Sequence, residues 1–324
     1  MTSQEKHMSE NSGVAVLDPP VPEEAAPPVR RKGKRHKHNL AGYGFLAPWL
    51  IGLFAFTLIP MVYSLYLSLT KFNLLTAPQW IGFDNYVRLF SDERYLQSIK
   101  VTLLYVVTSV PLKLAAALLV AVALNRGLKA LGFYRATFYL PSLLGASVAV
   151  SVMWRQIFSR DGLVNQFLGL FGIQGSDWIG DPRYALWTLV LLSGWQFGTP
   201  MLIFLAGLKQ LPQDLYEAAA IDGAGRFTVF FKITLPLLSP MVFFNLVLET
   251  INAFQTFTPA YVISNGLGGP IDSTLLYTLY LYLKGFGSMQ MGYASAMAWV
   301  LFAVIGLFTA IYFWSARKWV NYAD

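Results

Sequence analysis

The chain has 324 residues, 55% hydrophobic and 13% charged, with a formal net charge of +7 and a mean hydropathy of +0.49. A soluble domain carries roughly 25% charged residues, so an ordinary water-soluble globule is excluded, and 24 Phe, 17 Tyr and 9 Trp exclude an unfolded chain. With no Cys there are no disulfides, thiolate metal sites or Cys nucleophile. Nothing in the composition contradicts a polytopic membrane protein, and an all-α integral membrane protein is expected.

Residues 1–40 differ from the rest. They hold all three His (His7, His36, His38), a Pro/Ala/Glu stretch from Pro19 to Pro28, and the basic cluster Arg30, Arg31, Lys32, Lys34, Arg35 and Lys37. Such a segment cannot bury enough apolar surface to fold alone, so a disordered basic tail is expected. The apolar stretch after it, Tyr43–Thr70, is longer than a signal-peptide core and lacks a small-residue cleavage site after it, which makes it a retained span.

A span needs about 20 apolar residues. Six stretches qualify in the 41–324 region: Tyr43–Thr70, Val101–Asn125, Tyr134–Met153, Tyr184–Leu208, Leu235–Ile263 and Met291–Ala316. Pro60, Pro111, Pro200 and Pro259 are expected to kink them. With the N-terminus inside, the inner connections and both termini carry fifteen Lys/Arg against eight outside, which favours both termini in the cytoplasm. Among the outer connections, Ile81–Tyr86 and Asp177–Pro182 mix aromatics, Gly and acids, a composition suited either to interfacial segments or to plain loops.

The connection 209–236 is unlike an ordinary loop. Pro212 suits the first turn of a helix, Asp214 and Glu217 put negative charge where the helix dipole favours it, and the alanines favour helix. Gly223 and Gly225 should then break that helix by tolerating positive φ. A second apolar-faced stretch, Phe227, Phe230, Phe231 and Ile233, leads on to Pro236. The expectation is a helix–turn–helix that exposes small side chains and a few charges, a docking surface for another protein.

Glu217-Ala218-Ala219, three residues, Gly223, nine residues, then Ile233-x-Leu235-Pro236 resembles the EAA loop of permease subunits in bacterial binding-protein-dependent ABC importers. Trp195 through Leu208 before the loop is similar to the carbohydrate-uptake permeases. So are Phe254 through Ile263, Gly268-Gly269-Pro270, Ser273-Thr274 and Gly292 through Met297 after it. The likeness is to the first permease of the maltose and glycerol-3-phosphate systems and covers roughly residues 41–320, without the large extracytoplasmic insertion of the maltose member.

The resemblance implies a permease fold in a bacterial inner (cytoplasmic) membrane, with a cytoplasmic coupling helix. Glu217, Ala218, Ala219, Asp222, Gly223, Ala224, Arg226 and Phe227 would meet a separate ATPase subunit. The implied partners are a second homologous permease, two copies of the ATP-binding subunit, an extracytoplasmic solute-binding protein, a sugar and membrane lipid. No nucleic-acid partner and no cofactor are expected.

The chain itself is not expected to be an enzyme. It contains no GxxxxGK[ST] phosphate loop, and Gly223-Ala224-Gly225 lacks the third glycine of a dinucleotide fingerprint. With all His in the tail, transition-metal sites and His acid–base chemistry within the spans are not expected.

Polar side chains within spans default to functional hypotheses. Asn245, Glu249, Asn252 and Thr256 fall at i, i+4, i+7 and i+11, one helical face, with Gln255 to one side, Trp195 and Gln196 in the preceding span, and Tyr261 and Tyr293 near later span ends. Amides and carboxylates hydrogen-bond sugar hydroxyls, so Glu249, Asn252, Gln255, Gln196 and Tyr261 are the candidate substrate path. The alternative for each is interhelical hydrogen bonding. Lys113, the one cation well inside a span, would snorkel or pair with an acid. A non-sugar solute such as a phosphorylated polyol is the nearest alternative substrate; a secondary transporter is the alternative of another class.

Overall fold

A computed structural model describes residues 45–126, 130–145 and 147–321. The tail 1–40 and Lys129 lie outside the described residues. The chain divides into two units, 1–57 and 58–324. The described part of the first is helical and belongs to the apolar run Phe45–Ser68.

The described residues of the second unit are mostly helical. Its elements are α1 (Ile59–Ser68), α2 (Asp84–Ser91), α3 (Glu93–Leu124), α4 (Leu131–Leu144), α5 (Val148–Ile157), α6 (Leu163–Gly169), α7 (Pro182–Trp195) and α8 (Gly198–Leu208). After these come α9 (Gln213–Ile221), α10 (Arg226–Leu237), α11 (Ser239–Phe254), α12 (Thr258–Ile263), α13 (Tyr277–Tyr282) and α14 (Met291–Trp319). A two-residue antiparallel ladder, Thr70–Lys71 with Gln79–Trp80, closes the turn after α1.

Four helical runs among the described residues are long and apolar enough to cross a membrane: Phe45–Ser68, Glu93–Leu124, Ala185–Leu208 and Met291–Trp319. The other two stretches are broken. The expected span Tyr134–Met153 is α4 and α5, bent by 97°, and Leu235–Ile263 takes in the end of α10, α11 and α12, with a 66° bend between α10 and α11. The count is therefore four, or six if each bent pair is one crossing. Prolines explain the second break, because Pro236 and Pro240 remove two helical N–H donors.

Helix α3 is the central post, packed on α7, α8, α11 and α13. One half joins a large apolar cluster through Val101, Tyr105, Val106 and Val110. The other half joins a second cluster through Ala117, Ala121 and Leu124, against Met201, Phe204, Leu205 and Leu208 of α8 and Leu238. Lys113 lies between the two halves.

The first turn of α3 is fastened by Asp92. Its carboxylate accepts the Tyr95 N–H as a helix cap at 3.2 Å, the Tyr280 hydroxyl at 2.7 and 2.8 Å and the Tyr293 hydroxyl at 2.8 Å, with the Lys284 ammonium at 3.2 Å. Burial alone would raise its pKa, but the two hydroxyls, the N–H and the ammonium outweigh that and lower it to about 2. Tyr293, expected near a span end, is thus a buried partner of this knot.

Candidate functional site

Between the two halves of α3, α11 and the break from α7 to α8, the side chains line a half-open cavity of about 380 Å³. Lys113 of α3 and Glu249 of α11 both line it, and their side chains are only 14% and 8% exposed. The Lys113 ammonium donates to the Glu249 carboxylate at 2.7 Å, so this pair crosses from one helix to the other. Taking either charge out of water without the other would be costly, and the pairing offsets that cost.

The polar wall comes from local chain breaks. Helix α11 ends at Gln255, which caps it, so Asn252 and Gln255 lie on its last turn and Thr256 begins the loop beyond. The expected i+11 position of Thr256 on one continuous helix is therefore wrong, yet the loop still brings Thr256 to the cavity beside Asn252 and Gln255. On the opposite side Gln196 caps α7. Its side-chain amide donates to the Gly145 carbonyl at 2.9 Å, while its own carbonyl accepts the Ser142 hydroxyl at 2.9 Å. A Cβ at Gly145 would meet the Gln196 side chain at 2.4 Å, so the side chain can lie there only because that residue is glycine.

Four of the expected path residues, Glu249, Asn252, Gln255 and Gln196, thus line one cavity. Tyr261 does not. Its ring packs with Phe257 at 5.4 Å and Tyr282 at 5.5 Å, in an aromatic group at the start of α12. Asn245 is also elsewhere, buried on α11 with its amide nitrogen unpartnered. Sequence reasoning missed Ser142 and Gly145. It allowed that Lys113 pairs with an acid, and the signal was one cation in one span and one carboxylate in another.

The second candidate region is α9 with α10. Pro212 caps α9, and Gly223 adopts φ +70 at its end, the left-handed turn expected of it. Gly225 does not: its φ is −68 and it caps α10 in an extended conformation. The Ala224 N–H donates to the Ala219 carbonyl at 2.9 Å, and the Tyr216 hydroxyl lies 3.1 Å from the Thr234 hydroxyl, fixing α9 against α10.

Of the expected docking residues, Ala219 is buried and cannot present its side chain outward. Glu217, Ala218, Asp222, Gly223, Arg226 and Phe227 are exposed and Ala224 half-buried. Ile221 and Phe227 are 87% and 83% exposed, apolar side chains standing free at the tip of the turn. Behind this tip an apolar cavity of about 910 Å³ lies between α10 and the last turns of α3, lined there by Leu118, Leu119 and Val122.

The family described as "Binding-protein-dependent transport system inner membrane component" matches residues 90–320. The chain is 55% identical over 296 residues to the "Probable ABC transporter permease protein YesP" of Bacillus subtilis (strain 168), covering 91% of this chain and 96% of that one. It is 32% identical to the "Lactose transport system permease protein LacF" of Rhizobium radiobacter, covering 89% and 98%. The fold matches a chain of a bacterial alginate ABC transporter crystallised with its alginate pentasaccharide-bound periplasmic protein, with a TM-score of 0.76 at 22% identity over 90% of this chain and 99% of that one.

Proposed function

The chain belongs to the family of binding-protein-dependent transport system inner membrane components and is a permease of the sugar ABC importer class; from that premise we propose how its parts work. It forms one half of a translocation path, beside a second, homologous permease. Two copies of an ATP-binding subunit sit on the cytoplasmic side, and an extracytoplasmic solute-binding protein delivers the sugar. ATP is hydrolysed on the separate subunit, so this chain is not itself an enzyme.

In this reading both bent pairs count as crossings, giving six spans in a bacterial inner membrane with both termini cytoplasmic. Residues 1–40 are a basic cytoplasmic tail, and α9 with the start of α10 is the coupling helix. Glu217, Ala218, Asp222, Gly223, Ala224, Arg226 and Phe227 meet the ATPase, while Ala219 supports the turn from behind. Glu249, Asn252, Gln255 and Gln196 hydrogen-bond sugar hydroxyls. Tyr261 acts in the same path only if the aromatic group opens towards it.

The observation that carries this reading is connectivity: the exposed turn of α9–α10 runs directly into α11, the helix that supplies Glu249, Asn252 and Gln255 to the cavity. A displacement imposed on the turn would reach those side chains through one stretch of chain. A phosphorylated polyol is the weaker substrate, because Lys113, the cation among the lining side chains, is already engaged by Glu249. A strain lacking this chain, supplied with single saccharides as sole carbon source, is expected to stop growing on one group of sugars and to recover when the chain is restored. Full growth on every saccharide, with loss confined to a non-sugar solute, would overturn the sugar assignment.

A further inference from the structure

Pro236 and Pro240 are four residues apart, so the N–H that would close a helical turn on the Pro236 carbonyl is the one Pro240 lacks. The chain bends by 66° between α10 and α11 at this place. The orphaned carbonyl is nevertheless answered. The Ser239 hydroxyl donates to it at 2.6 Å, and the Asn321 backbone N–H donates in turn to that hydroxyl at 2.8 Å. The Asn321 side-chain amide approaches the same carbonyl at 3.5 Å.

Packing closes round these bonds. Leu238 is fully buried against α3 and α8 side chains, and Ser239 is 4% exposed. One turn further on, the Phe243 ring meets Phe313 and Trp319 of α14 edge-on at 5.0 and 6.1 Å. A segment just beyond α14 thus completes a bend 82 residues earlier in the chain.

We propose that Ser239 and Asn321 are positioning residues that lock this bend into a rigid elbow, so that α10 and α11 tilt together. The proposal rests on the reading of α9–α10 as the ATPase-docking element. Proline removes the hydrogen bond that would tie the two limbs across the break, so their angle is fixed only by whatever other contacts replace it. Glu249 lies ten residues beyond Ser239, about 15 Å along the helix at 1.5 Å per residue. A slack joint would absorb the displacement before it reached the cavity, whereas a locked one delivers it.

The chain contains no Cys, so Lys232→Cys on α10 and Leu248→Cys on α11, both exposed, would carry spin labels at those two positions alone. Pulsed electron paramagnetic resonance on the labelled chain, captured with its partner subunits, reads the distance across the elbow without nucleotide and with ATP plus vanadate. A rigid elbow gives one narrow distribution that nucleotide does not move. Ser239→Ala and Asn321→Pro should each broaden it, while Ser239→Thr keeps it narrow. Asn321→Pro removes the N–H donor itself, and Val320, extended at φ −87, ψ 117, already has the conformation favoured before proline.

An elbow distance that shifts with nucleotide in the parent, or unchanged width in both variants, overturns the proposal. ATPase content is measured in the same preparations. If no ATPase accompanies the parent, the docking reading itself fails; if it accompanies the parent and is lost only from the variants, these contacts serve docking and the elbow proposal falls.

Discussion

Around the cavity the two charged side chains, Lys113 and Glu249, lie 2.7 Å apart and almost wholly buried, whereas along α9 and α10 Asp214, Glu217, Asp222, Arg226 and Lys232 make no ion pair with any described residue. Both regions belong to one chain, and they treat charge in opposite ways. In the interior an unpaired charge costs several kcal/mol, so the pair must be completed within the chain. On the exposed limb water solvates each charge at little cost, and the apolar Phe227 stands uncovered at its tip. An internally closed site and an externally open one are what a path and a docking element respectively require.

The largest effect should come from closing the open side of this comparison. Gly223→Pro cannot adopt φ +70, because the proline ring holds φ near −65°. The turn must rearrange, and uptake should fall to background while the protein remains inserted. Glu217→Lys should do the same if, as proposed, that charge meets the ATPase, because it reverses it. Normal uptake by both variants would remove the coupling role from this limb.

Next in size is the closed side. Lys113→Met leaves Glu249 buried without a partner, and destabilisation of about 3–5 kcal/mol is expected for a broken buried pair. Thermal unfolding of the purified complex would read it. The double variant Lys113→Met with Glu249→Gln should recover much of that loss, and failure to recover would show that the two side chains act independently.

Smaller still are Asn252→Ala and Gln255→Ala, each removing one hydrogen-bonding group from the cavity, where a loss of about 1 kcal/mol, or roughly fivefold in uptake affinity, is expected. If both leave affinity and rate untouched, the path assignment is wrong. Smallest is the response of the α3 cap to acid. The Asp92 pKa is depressed to about 2 by its two tyrosines, Tyr95 N–H and Lys284. Its stabilisation is therefore fully present above the unfolded value near 4 and is lost only as pH falls through about 2. Unfolding temperature between pH 7 and pH 5 should show no step that Asp92→Asn abolishes.

The open region was legible in the sequence because its signals are local. Pro212, the alanines and Gly223 each act within a turn or two, and Glu217-Ala218-Ala219 to Pro236 is a fixed spacing. Local reading also erred there, since Gly225 needed no positive φ and Ala219 turned inward against the Ala224 turn. For the closed region the residue types were legible but not their assembly. Lys113 and Glu249 are 136 positions apart, and the aim of Gln196 depends on glycine at 145, a tertiary condition. The broken helices escaped hydropathy for a related reason. Apolar content is the same on either side of a bend, so Tyr134–Met153 and Leu235–Ile263 read as continuous spans although α4 and α5, and α10 and α11, are separate helices set at an angle.

The central claim, that the open limb of this chain serves a separate ATPase, is tested most directly by capturing the chain from gently solubilised native membranes and identifying its companions by mass spectrometry. The account predicts a P-loop ATPase and a second, related permease with the parent chain, and loss of the ATPase alone when Phe227 at the tip of the turn is replaced by Asp. Recovery of the chain by itself, or solely as a homo-oligomer, would contradict the account.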